Sequence, residues 1–128
     1  MGYFLYHIIM ANQFTVIFFE TEKGEVPVLQ FLNTLEVKLR AKVFRDLQLL
    51  EQKGNDLRLP WSEHLDDGIF ELRTIRSTVI IRCFYFFLSG KKIIVTHGFK
   101  KKTRKTSQNE IMRAKKYRED YFKRNNRR

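Results

Sequence analysis

The stretch IFELRTIRSTVIIRCFYFFLSGKKIIVTHGF, residues 69–99, decides the fold. It divides into three runs rich in β-branched and aromatic residues, Ile69–Arg76, Val79–Leu88 and 92–99, joined by Ser77-Thr78 and Ser89-Gly90-Lys91. Connections this short make antiparallel hairpins. A two-residue loop at Ser77-Thr78 places Arg73 directly opposite Arg82. Closing the second hairpin at Ser89-Gly90 places Arg82 opposite His97, whereas closing it at Gly90-Lys91 pairs Arg82 with Phe99. The first of these registers lines up Arg73, Arg82 and His97 across one face, and Lys101 leaves the strand end on the same face.

Like charges directly opposite one another destabilise a sheet. Two arginines among Leu72, Ile80, Phe84 and Val95 are costly to desolvate unless something anionic meets them. An internal network with acidic neighbours such as Glu71 is one way to meet that cost. The other is a preformed clamp for phosphate, which suits the planar guanidinium fork.

Working outward, residues 15–20 (TVIFFE) read as a strand that turns at Lys23-Gly24. Pro27 suits a first helical turn, and Leu32, Leu35, Leu39, Val43, Leu47 and Leu50 recur at helical spacing. One helix or two, with a break near Glu36, satisfy that stripe, which Gly54 and Asn55 end. A loop follows through Pro60 and Asp66-Asp67-Gly68. Ser107 can cap a final helix, with Glu110 completing an S-x-x-E capping box and Ile111, Ala114, Tyr117 and Tyr121 on its apolar face. The order is strand, helix or helix pair, three-stranded meander, helix: an α+β domain over residues 14–128, preceded by an extension, 1–13.

The 128-residue chain carries a net charge of +11, unevenly spread. Residues 1–60 hold seven basic and seven acidic groups, residues 61–72 only four acids, and residues 73–128 eighteen basic against three acidic groups. Such asymmetry points to a polyanionic partner. The single cysteine, Cys83, allows no internal disulfide and reads as a small buried hydrophobe. No His/Cys/carboxylate spacing suggests a metal site and no Gly-rich loop a nucleotide, so no cofactor is expected. Neither a signal peptide nor a membrane span is read, and the expected location is cytoplasmic. Trp61, Phe84 and Phe86 are expected in the core.

The segment 65–106, with GIFELR, IIRCFYFF and VTHGFKKKTRKT, and the following EIMRAKKYR resemble the HigB-like branch of the RelE/ParE toxin superfamily. The resemblance implies a RelE-like fold: an antiparallel sheet core with two N-terminal helices and a C-terminal helix. It implies the toxin of a type II toxin–antitoxin pair, a ribosome-dependent endoribonuclease cutting mRNA on the 70S ribosome. It also implies a cognate antitoxin that covers the active surface, with operator DNA met only through the toxin–antitoxin complex.

By position, Arg73 and Arg82 resemble the phosphate-binding arginines, and Lys100, Lys101 and Lys102 stand where relatives place a further catalytic or RNA-contacting base. Arg104 and Lys105 extend that basic run toward RNA. Two departures stand out. Thr103, Thr106 and Ser107 occupy the place of a tyrosine near the start of the last helix, and Glu63 and His64 replace lysines before the second strand.

Cleavage through the 2′-hydroxyl needs a base, a cation for the phosphorane and an acid for the leaving oxygen. Arg73 and Arg82 fit the cationic role and Lys101 is placed with them. His97 is the candidate base, its ring kept neutral by neighbouring cations, with His64 a second. Phe99, beside the lysine run, is the candidate for stacking on a base. A non-enzymatic RNA or ribosome binder and a ParE-type gyrase poison remain as alternatives on the same fold.

Overall fold

The computed structural model describes residues 13–101 and 105–126. The extension, apart from Gln13, lies outside them, as do Lys102, Arg104 and the side chain of Lys101. The elements run β1 (Thr15–Phe18), α1 (Pro27–Leu32), α2 (Val37–Lys53), a 3-10 turn (Gly54–Asp56), β2 (Ser62–Asp66), β3 (Ile69–Arg76), β4 (Val79–Leu88), β5 (Lys92–Lys101) and α3 (Gln108–Asn125).

One five-stranded sheet has the order β1-β5-β4-β3-β2. It is mixed, because β1 runs parallel to β5 while the other neighbours are antiparallel. That corrects the expectation of a purely antiparallel core: the helices carry the chain from one edge of the sheet to the other. Two helices, not one, occupy the leucine stripe, and both follow β1. At their break the Thr34 hydroxyl donates to the Phe31 carbonyl at 2.6 Å, closing off α1.

β2 was expected to be loop. Its sequence, SEHLD, has one apolar residue and no alternation to reveal it. Pairing with β3 creates the strand, and the Ser62 and Tyr85 hydroxyls hydrogen-bond to each other beneath it.

Strand alternation sorts the core into two layers. Toward α1 and α2, Leu72, Ile81, Cys83, Tyr85, Ile93 and Val95 pack against Val28, Leu32, Leu39, Val43, Leu47 and Leu50. Toward α3, Ile69, Phe84, Phe86 and Ile94 pack with Phe19 and Ala114. Each fully buried side chain of this kind contributes about 1.5–3 kcal/mol. The β4 residues from Ile81 to Phe86 are buried on both faces, which accounts for their near-continuous apolar run. Gly98 lets α1 close onto β5: a Cβ there would lie 2.3 Å from the Phe31 ring. Burial pushes the Cys83 thiol up to about 12, so it packs as an inert hydrophobe. Phe84 and Phe86 are core, but Trp61 is 44% exposed, contrary to expectation. No helix among the described residues is long and apolar enough to cross a membrane.

The first hairpin adopts the expected register, with Arg73 opposite Arg82. The second does not pair Arg82 with His97. Arg82 pairs with Phe99, and His97 with Phe84. Two single-residue insertions cause the shift. Leu88 pairs with Lys92 across a three-residue turn, and a bulge at Thr96 separates the Phe84–His97 pair from the Tyr85–Val95 pair. Together they restore the parity that either alone would break. His97 therefore keeps its predicted face but sits one rung away from the arginines.

Candidate functional site

The cationic row is Arg73–Arg82–Phe99, and Glu71–Phe84–His97 is the rung beside it. All six lie on the α3 side of the sheet. The arginines meet different fates there. Arg82 is 0% exposed and Glu71 1%. Arg82 Nη1 donates to both Glu71 carboxylate oxygens at 2.9 Å and to Thr106 Oγ1 at 3.1 Å. The Thr106 hydroxyl in turn donates to Glu71 Oε1 at 2.7 Å. Thr106, just before α3, thus completes a buried network. The expectation that Arg82 opens toward a phosphate is corrected. Burial beneath α3 demands an internal counter-charge, and Glu71 supplies it.

Arg73 stays 17% exposed. Its Nε lies 3.9 Å from Glu71 Oε2 and its Nη1 lies 3.7 Å from Oε2 of the 45%-exposed Glu63. These separations are ion pairs without close hydrogen bonds, so the fork is oriented but not consumed.

His97 is buried and stacked on Phe84, with its ring centroid 4.7 Å away. Its Nε2 lies 3.1 Å from Glu110 Oε1 and its Nδ1 lies 3.0 Å from Thr96 Oγ1. Burial, with the Arg113 charge adding to it, pushes the imidazole down to about 3. The ring is neutral, as expected, but enclosed. It ties β5 to the first turn of α3.

Glu110 therefore does not close the expected capping box around its own helix end. Ser107 Oγ still caps, accepting from the Asn109 N–H at 3.2 Å, while Glu110 turns to His97 and Arg113.

Two other candidates, His64 and Lys100, fall outside the constellation. His64 pairs with Phe70, on the α1–α2 side, and its Nε2 accepts the Gly68 N–H at 3.1 Å. Lys100 is exposed but pairs with Ile81, on that same opposite side. Phe99 is half-buried against the α3-side cluster. Lys105 is exposed beyond the strand, and the backbone of Lys101 pairs with that of Ile80, one rung past Arg82.

Residues 30–119, which span β2 to β5 and both arginines, match the family described as Phage derived protein Gp49-like (DUF891). The chain belongs to that family. None of the curated proteins compared with it matches. The Gp49-like family is associated with the toxins of toxin–antitoxin systems, of RelE/HigB-like kind, and implies an antitoxin as partner.

In this Gp49-like chain the two charge blocks of the sequence meet. All four carboxylates of residues 61–72 face cations of the basic half: Glu63 with Arg73, Glu71 with Arg82, Asp66 with Lys115 and Asp67 with Arg118. The basic face of α3 is therefore partly neutralised, and the sequence asymmetry overstates the field presented to a partner. Sequence reasoning named Glu71 only as a rival reading and did not assign Glu63, Thr106 or Glu110 to the site. The signal for Glu71 was present, since a like-charged cross-strand pair needs a carboxylate on its own face.

The His97 shift has a testable consequence. Below about 6.5 the unfolded ring takes up a proton that the folded ring refuses until about 3, so stability falls as pH drops through that window. Unfolding in urea should show a loss of about 2 kcal/mol between pH 7 and pH 5 from this group. His97→Gln should flatten that slope. An unchanged slope in the variant would mean that the folded ring protonates freely.

Proposed function

We propose that this Gp49-like chain is the toxin of a toxin–antitoxin pair and acts as a ribosome-dependent endoribonuclease that cleaves mRNA through the 2′-hydroxyl. What carries the reading is Arg73: a guanidinium oriented by two carboxylates and still part-exposed, in the toxin-associated family.

Arg73 donates to the non-bridging phosphate oxygens and stabilises the charge that builds on the phosphorane. Glu63, exposed beside it, accepts the 2′-hydroxyl proton; a base must lie within hydrogen-bond reach of the proton it takes. Lys101, one rung beyond Arg82 in the register, protonates the leaving 5′-oxygen. Arg82 acts through Glu71, as a positioning residue. His97 transfers no proton and anchors α3. Lys105 supports the RNA backbone by charge, in company with Lys102 and Arg104. The antitoxin silences the chain by covering the Arg73 side.

The test is induction of the full chain in cells with mapping of message ends. Cuts phased to codons support the nuclease. Arrested translation with intact messages overturns it in favour of a binder, and DNA breaks with a damage response overturn it in favour of a gyrase poison.

A further inference from the structure

Trp61 stands at the open end of the arginine row. Its carbonyl accepts the Arg73 N–H at 2.7 Å, so the chain at Trp61 continues the β2–β3 ladder for one step beyond Ser62. Its own N–H donates to the Arg58 carbonyl at 3.0 Å, which pins the backbone from the other side. Ser62 directs its hydroxyl to Tyr85 on the α1–α2 side. Alternation then places Glu63 on the Arg73 side, and the backbone bond brings Trp61 beside Arg73 at the start of the strand. The indole is 44% exposed, although it is the largest apolar surface available to any side chain. A rigidly mounted, exposed aromatic next to an oriented, part-exposed arginine has the two elements of a single-stranded nucleic-acid subsite, a stacking plane and a phosphate donor.

We infer that Trp61 is the stacking platform for a nucleobase adjoining the phosphate held by Arg73. The inference rests on the RNA-cleaving reading above and adds to it a base-contacting residue on the far side of the row from Phe99. Stacking of this kind tolerates every base but favours purines through their larger face. Trp61 would thus tune which messages are cut without taking part in the chemistry.

Trp61 is the single tryptophan, so its emission reports on this site alone. The full chain is titrated with a short single-stranded RNA and with an abasic strand of equal length, and message ends are mapped after inducing wild type, Trp61→Ala, Trp61→Phe and Arg73→Ala. The expected result is quenching by the base-bearing strand and not by the abasic one. RNA affinity and cutting should fall about tenfold in Trp61→Ala and largely return in Trp61→Phe.

Phased cutting by wild type that is unchanged in Trp61→Ala, with emission indifferent to RNA, overturns the inference and leaves the nuclease reading standing. Absence of any message cutting by wild type overturns the nuclease reading, and the inference with it. Because wild-type quenching needs no variant, a folding defect in Trp61→Ala does not shield the proposal.

Discussion

Glu71→Ala is expected to destabilise the chain by about 3–5 kcal/mol, the cost of leaving a buried charge without its counter-ion. Arg82 is wholly enclosed, and Glu71 accepts two of its hydrogen bonds and one from Thr106. Truncation removes the opposing charge and leaves the Thr106 hydroxyl proton without its acceptor. Against the roughly 5–15 kcal/mol that a folded domain has in total, this is a large share. Urea unfolding measures it. Replacing both partners by apolar residues, Glu71→Leu with Arg82→Met, should recover most of the loss, because the desolvation cost goes with the charges. A loss under about 1 kcal/mol in Glu71→Ala would mean that water reaches Arg82 and that the network is not buried.

Arg73→Ala should lower message cleavage by about 10²–10³-fold, the usual effect of deleting one donor that stabilises developing charge. Its stability should fall by less than in Glu71→Ala, because its ion pairs are longer and its side chain is part-exposed. Arg73→Lys should restore only part of the activity, since a point charge does not reproduce the planar fork. Arg82→Ala provides the contrast: it should lose activity and stability together. Full cleavage by a folded Arg73→Ala variant would remove the central residue of the proposed mechanism.

The contrast between these arginines shows how far the sequence could be read. Both occupy strand positions with the same neighbours in type, and their facing each other followed from a two-residue loop that leaves no slack in register. Their division into an enclosed residue and a part-open one did not follow. It depends on where α3 lies and on a threonine 24 residues from Arg82. Of the two registers open to the second hairpin, the structure has the one that pairs Arg82 with Phe99, and it reaches it through a three-residue turn and a bulge that leave no mark in composition. The shared face of Arg73, Arg82 and His97 survived only because those two insertions cancel. β2 escaped notice for a related reason: a polar edge strand owes its form to its neighbour, and Trp61 and Glu63 could not be placed beside Arg73 without it.

Local order in this chain was therefore written in side-chain periodicity. The β-branched and aromatic runs of residues 69–88, the leucine stripe and the Ser107 cap specify strands, helices and the first hairpin from contacts between near neighbours in sequence. Which charges are hidden, which are shared and which are offered outward is a matter of burial. Burial is set by groups that come together only when the chain closes, as when Thr106 reaches Glu71 across 35 residues. Desolvation decides the fate of a charge, and no stretch of sequence read alone carries the surface that will cover it.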